Sequence, residues 1–389
     1  MISDIDWEWV HNHLNDDPVT LTLKYGASRR NEILQIDCRQ RTHKKLAHTL
    51  LNDQFIFPSL LASQQCSSDA TARFHASLIN DGELVLDMTS GLGIDAYHLS
   101  RRAGRIYAID IKEENTLAAI HNARQMNIDN IHFLTGDSVE WLKNSALHFN
   151  TIFIDPSRRD NNNRRCYGLE TCSPDVLKLM PLFRTKTDKL IIKVSPMLDI
   201  TSLTEQIRET TAIYAVGTEK ECKELIIMVD FTERRPADLF AVTITDSETV
   251  LFRIPTSKQN YNIGFDNPKL YGYIYLPYPS LMKIDASRFL GENYGLSQIA
   301  PSTHLLSSEK LISEFPGRTF KIVEILRFDK KTINNFRKQY PEINITAKNF
   351  PYPAPRLASI LKVKEGGRLR LFAVSLSDNS RVLIVTEPV

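Results

Sequence analysis

The chain predicts an α/β fold in which a parallel sheet is covered on both faces. A helical segment precedes it and small α+β units follow. Three observations predict this. From residue 63 onward, strand-length apolar runs alternate with helix-length amphipathic runs. Those strands lack a polar face, as strands buried on both sides require. The style then changes after Arg234-Arg235-Pro236, where strands and turns follow one another without long helices. The 389 residues, 42% apolar and 24% charged, are ample for several cores and exclude a disordered or collagen-like chain. No run approaches the ~20 apolar residues of a membrane span. The acidic start, Met1 to Asp6, lacks a signal-peptide pattern, so a cytoplasmic protein is expected. The five cysteines include no C-x-x-C pair, which argues against a disulfide framework or a zinc ribbon. His98, His121, His132 and His148 show no metal-ligand spacing, so no metal is expected.

The elements follow in order. Residues 1–62 read as a helical domain, with helical spacing over His43–Leu51 and a break at Phe57-Pro58-Ser59. Residues 63–236 hold strands at Leu84–Asp87, Arg105–Asp110, Ile131–Leu134, Thr151–Asp155 and Lys189–Val194. Helices fall between them at 94–102, 113–126, 138–147 and 174–183, the last opened by Pro174. Ala212–Val216 and Glu224–Phe231 are too close for a helical crossover and predict a hairpin at the sheet edge. Residues 237–322 read as small α+β material: an antiparallel pair around Asp246-Ser247-Glu248, a helix over 281–290 and a strand at Phe320–Leu326. Residues 323–389 add a helix over 331–339, a Pro-interrupted linker over 350–355 and two strands around Asp378-Asn379.

Charge is unevenly spread. Residues 251–389 hold 20 Lys and Arg against 11 Asp and Glu, whereas the first 250 hold 28 against 35. A basic C-terminal third suits a polyanion such as RNA.

The informative segment is Leu84-Val85-Leu86-Asp87-Met88-Thr89-Ser90-Gly91-Leu92-Gly93-Ile94-Asp95-Ala96, a strand, a turn with two glycines and a helix. Glycines there let the backbone approach a ligand at a helix start. Asp87, at the strand's end, is unwelcome beside a pyrophosphate and useful beside a cation. S-adenosylmethionine carries an ammonium and a sulfonium and no phosphate. Asp110 ends the second strand and suits ribose hydroxyls. Asp137 follows the third and suits an adenine amino group. Asp155 ends the fourth in Asp155-Pro156-Ser157-Arg158. Singly, each is explained as a turn or N-cap residue. Together they converge on the crevice where open α/β sheets bind ligands.

These residues resemble the class I S-adenosylmethionine-dependent methyltransferases, with a Rossmann-like sheet, over roughly 63–235. The form Asp87-x-Thr89-x-Gly91-x-Gly93-x-Asp95 is similar to bacterial ribosomal-RNA guanine-N2 methyltransferases. Gln65-Cys66-Ser67-Ser68, Ile154 to Asp160, Lys193-Val194-Ser195-Pro196 and the three-part tail look like a bacterial RNA-methyltransferase subfamily with ferredoxin-like and THUMP-like C-terminal domains. The resemblance implies cofactor contacts from Asp87, Thr89, Gly91, Gly93, Asp95, Asp110, Ile111, Asp137, Ser138, Gln65, Ser67 and Ser68. It implies catalytic roles for Asp155, Pro156, Ser157 and Arg158. The chain departs from the amine-methyltransferase motif, with Ser157 for the second proline and Arg158 for the aromatic. Arg158, Arg159, Arg164 and Arg165 suit capture of RNA phosphates beside the acceptor. Uracil C5 chemistry is disfavoured, because no cysteine follows the fifth strand; Cys172 reads as a packed thiol. The expected function is methyl transfer to a base in structured ribosomal or transfer RNA. A small-molecule or protein methyltransferase, and a silent RNA-binding protein on the same fold, remain open.

Overall fold

The computed structural model describes residues 5–157, 168–254, 270, 272–300 and 302–389. The chain divides into two compact units, 1–213 with 225–236, and 214–224 with 237–389.

In the first unit, helices α1 (Trp7–Asn12), α2 (Pro18–Tyr25), α3 (Arg30–Thr42), α4 (Leu60–Gln65) and α5 (Asp69–Ala76) precede the sheet. The helical spacing at 43–51 yields only turns and a short 3-10 segment over Thr49–Leu51. The Asp69 carboxylate accounts for this. It accepts the backbone N–H groups of His48 and Thr49 at 2.8 and 2.9 Å, which ties them to α5. Burial opposes the charge on Asp69, but hydrogen bonds from His98 and Thr49 prevail and bring its carboxyl down to about 2. Phe55, Ile56 and Phe57 are fully buried against Leu92, Ile94 and Tyr97. Two side-chain amides make this extended passage possible: Gln35 pairs with both backbone groups of Phe57, and Asn122 with both of Ile56.

The alternating region then runs β1 (Leu84–Asp87), α6 (Ile94–Leu99), β2 (Arg105–Asp110), α7 (Glu113–Gln125), β3 (Ile131–Thr135), α8 (Ser138–Asn144), β4 (Phe149–Ile154), α9 (Val176–Lys186), β5 (Thr187–Val194), α10 (Ile200–Gln206), β6 (Thr210–Thr218) and β7 (Cys222–Asp230). Strand order is β3-β2-β1-β4-β5-β7-β6. The first five strands are mutually parallel, with Asp87 opposite Ala108 and Phe153. β7 lies antiparallel to β5, Lys193 opposite Ile226. The two strands are neighbours as expected, the second lying between β5 and β6, but they are not at the sheet edge, because the strand order continues beyond β6. α9 also starts later than expected, capped by Asp175, and carries Pro181 within it.

In the second unit, β8 (Asp238–Ile244) and β9 (Thr249–Ile254) form the expected antiparallel pair. Next come β10 (Tyr273–Pro277), α11 (Pro279–Lys283), α12 (Ser287–Tyr294), β11 (Ser297–Gln298), β12 (Leu306–Ser308), β13 (Gly317–Arg327), α13 (Lys330–Gln339), β14 (Asn344–Lys348), α14 (Ala354–Leu361), β15 (Arg370–Ser375) and β16 (Arg381–Pro388). β10 to β16 build a sheet of order β11-β12-β10-β13-β16-β15-β14. The single helix expected over 281–290 is two helices, because Asp285 between them takes a positive φ of 51°. Among the described residues no helix is long and apolar enough to cross a membrane.

Candidate active site

Parallel pairing brings the C-terminal ends of β1, β2, β3 and β4 to one edge of the sheet, and the acids with them. Gly91 and Gly93 both have positive φ, 52° and 85°. A Cβ on Gly93 would also stand 2.8 Å from the Tyr97 ring, so only glycine closes this turn over α6. The turn is stitched to both neighbouring strands. Asp155 donates its N–H to Thr89 Oγ1 at 2.7 Å, and Gly91 donates its own to Asp110 Oδ2 at 3.0 Å.

Asp87 is 1% exposed. Its Oδ1 accepts the Thr89 N–H at 3.0 Å, and its Oδ2 has no hydrogen-bond partner among the described residues. Burial raises its carboxyl pKa well above the ordinary value, and Asp95, Asp110 and Asp155 raise it further. A buried, half-satisfied acid among acids is costly on its own and well matched to a cationic group.

Asp110 holds the β2 end. Its Oδ1 accepts the Lys112 N–H at 2.8 Å and the Asn115 amide at 3.0 Å. Ile111, next in line, is 74% exposed. Asp137 caps α8 through Oδ1, accepting from Val139 and Glu140, and its Oδ2 has no hydrogen-bond partner among the described residues; Ser138 is buried. Asp95 points toward α5. It accepts from Ser67 Oγ at 2.6 Å and pairs with His75 Nδ1 at 2.7 Å. Burial works against its charge, but His75, Lys193 and Ser67 outweigh it and the carboxyl pKa falls. Ser68 caps α5 in a reciprocal pair with Thr71, and Gln65 is exposed at the end of α4.

One participant had no role assigned from sequence. Lys193, on β5 and 8% exposed, donates to Asp155 Oδ2 at 2.7 Å and to Ser67 Oγ at 2.9 Å. A continuous chain thus runs His75–Asp95–Ser67–Lys193–Asp155, from α5 to the end of β4. The available signal was a lysine inside the apolar run Leu190-Ile191-Ile192-Lys193-Val194, since a buried lysine needs a partner. Asp155 Oδ1 has no hydrogen-bond partner among the described residues. Pro156, Cys172, Lys193, Ser195 and Leu198 line a small cleft alongside. Ser157 exchanges both backbone hydrogen bonds with Ser173, at 2.8 and 3.1 Å, fixing the strand end. The Cys172 thiol donates to the Gly168 carbonyl at 3.4 Å. Arg158, Arg159, Arg164 and Arg165 lie outside the described residues.

Comparison with known proteins finds methyltransferases. A crystal structure of a Porphyromonas gingivalis W83 protein described as a methyltransferase matches at 26% identity, over 98% of this chain and 97% of that one, with a TM-score of 0.87. A Mycoplasma mobile protein described as an uncharacterised RNA methyltransferase is 28% identical over 30% of this chain. A Clostridium tetani protein of the same description is 32% identical over 22%. The matched stretches span only 28% and 19% of those two relatives. Residues 79–227 match the model of a methyltransferase domain, 273–316 that of a ferredoxin-like domain and 317–388 that of a THUMP domain-like family. Domain by domain, the chain is similar to methyltransferases that carry ferredoxin-like and THUMP-like domains after the methyltransferase domain.

Proposed function

We propose that this chain is an S-adenosylmethionine-dependent methyltransferase acting on a base in structured ribosomal or transfer RNA. The observation that carries the reading is the buried, unpartnered Oδ2 of Asp87 beside the two-glycine turn. It is an acceptor without a donor, in a pocket of carboxylates, and it fits the ammonium of a phosphate-free nucleoside. Asp110 and Asp137 each keep lone pairs for ribose hydroxyls and an adenine amino group. Asp95, Ser67 and Ser68 support this site from behind. When bound, the cofactor supplies an electrophilic methyl group.

The chain's own residues align the acceptor. Lys193 occupies one oxygen of Asp155 and fixes its plane; the other oxygen accepts an N–H from the acceptor base. Pro156 and the Ser157–Ser173 pairing hold that carboxylate still. The RNA assignment draws on the relatives' descriptions, on the THUMP-like domain and on the basic C-terminal third. Within this reading residues 1–62, 63–236, 237–322 and 323–389 act as four domains in a cytoplasmic enzyme. The test is mass spectrometry of nucleosides from cells with and without the gene. Loss of one methylated nucleoside, restored by the wild-type gene and not by Asp155→Ala, is expected. An unchanged nucleoside profile would refute the RNA acceptor.

A further inference from the structure

The buried chain from His75 to Asp155 holds two carboxylates and one lysine, so the lysine has two anions within its reach. Lys193 donates to Asp155 Oδ2 at 2.7 Å and to Ser67 Oγ at 2.9 Å. Ser67 donates its own hydroxyl hydrogen to Asp95 Oδ2 at 2.6 Å. One hydroxyl therefore stands between the ammonium and the second carboxylate. Lys193 is already among the groups that hold the Asp95 carboxyl down, so the two charges feel each other across it. A direct charge-assisted bond between them would be stronger than either bond to the neutral hydroxyl. It would also draw Lys193 away from Asp155.

The restraint lies on the far side of Asp95. His75, on α5 and fully buried, meets Asp95 Oδ1 at 2.7 Å through Nδ1. An ionised carboxylate only accepts, so this nitrogen carries the hydrogen. The imidazole is fixed in turn: its ring centre lies 5.5 Å from that of Phe153 on β4. Both oxygens of Asp95 are thus held, one by His75 and one by Ser67. Ser67 and His75 bracket one short helix, α5, whose start is fixed by the reciprocal Ser68–Thr71 cap. The two holds on Asp95 therefore keep a set spacing.

We propose that His75 is a positioning residue for methyl transfer: by holding Asp95 toward α5 it keeps that carboxylate off Lys193 and leaves Lys193 on Asp155. This rests on the assignment of Asp155 to the acceptor. In this role His75 acts through Asp95 and Lys193 and needs no contact with cofactor or acceptor.

The role has a signature that a packing role lacks, because removing the competing carboxylate repairs the loss of its restraint. His75→Leu keeps the site apolar and frees Asp95 Oδ1. Its kcat, read as labelled methyl transferred to RNA from cells lacking the gene, should fall about 10- to 100-fold, the cost of misplacing a reacting group by about 1 Å. KM for RNA and affinity for S-adenosylmethionine should change little. His75→Asn sets an amide N–H where Nδ1 stood and should keep most of kcat. The double variant His75→Leu/Asp95→Asn should regain most of what His75→Leu loses, whereas two independent structural losses would add. Crystal structures supply a readout that needs no acceptor: in His75→Leu, Asp95 should bond Lys193 directly and the Lys193–Asp155 bond should lengthen or break. Lys193 unmoved on Asp155 in that structure, or a double variant slower than His75→Leu, would overturn the proposal. Full transfer by His75→Leu beside an inactive Asp155→Ala would overturn it and leave the acceptor reading standing. Full transfer by Asp155→Ala would overturn both.

Discussion

Replacing Asp87 by Asn separates folding from cofactor binding, because the same carboxylate hinders one and serves the other. The Asp87 pKa is raised in the fold, first by burial and then by Asp95, Asp110 and Asp155. A carboxyl raised on folding favours the native state at low pH. That advantage is lost as pH climbs from the unfolded value, about 4, through the folded one. Wild type should therefore lose stability relative to Asp87→Asn as pH rises from about 4 toward neutrality, and the two should converge below that. Cofactor affinity should move the other way. A hydrogen bond to a charged group contributes about 1.5–3 kcal/mol, so its loss should weaken S-adenosylmethionine binding about 10- to 150-fold. Binding should also release a proton from Asp87 in wild type and not in the variant. Calorimetry in two buffers of different ionisation heat, with thermal melts between pH 4 and 8, measures all three effects. Equal affinity in wild type and Asp87→Asn, with no difference in proton release, would refute the role assigned to this carboxylate.

Asp155→Ala should keep cofactor affinity within about twofold and reduce transfer by about 10²-fold or more, read as methyl incorporation into RNA. Lys193→Met should lower kcat with little change in cofactor affinity, since it acts through Asp155. The double variant Asp155→Ala/Lys193→Met should be no slower than Asp155→Ala alone, and Lys193→Arg should partly rescue. Gly93→Ala puts a Cβ where φ is 85° and Tyr97 is 2.8 Å away, so it should destabilise by about 1–3 kcal/mol in denaturant melts and weaken cofactor binding.

The sheet was legible because its strands are largely apolar and its acids sit at their ends, where parallel pairing gathers them without further information. Lys193 could be flagged as anomalous but not placed, because its partners Ser67 and Asp155 are distant in sequence and meet it only across strands. The helical spacing at 43–51 misled for a similar reason: Asp69, about twenty residues on, takes the amides a helix would have used. The helix over 354–361 was hidden by Pro351, Pro353 and Pro355, read as a linker. Yet Pro353 is its N-cap and Pro355 lies in its first turn, where no intrahelical N–H is required. That helix is also what lets β14 and β15 run parallel.

The central claim is that carboxylates around a glycine turn select a positively charged, phosphate-free nucleoside. Equilibrium dialysis of the purified chain against labelled S-adenosylmethionine, with NAD and ATP as competitors, tests it most directly. The account predicts one bound S-adenosylmethionine per chain, displaced by S-adenosylhomocysteine and untouched by either phosphorylated competitor. Saturable binding of NAD or ATP that displaces S-adenosylmethionine would contradict it.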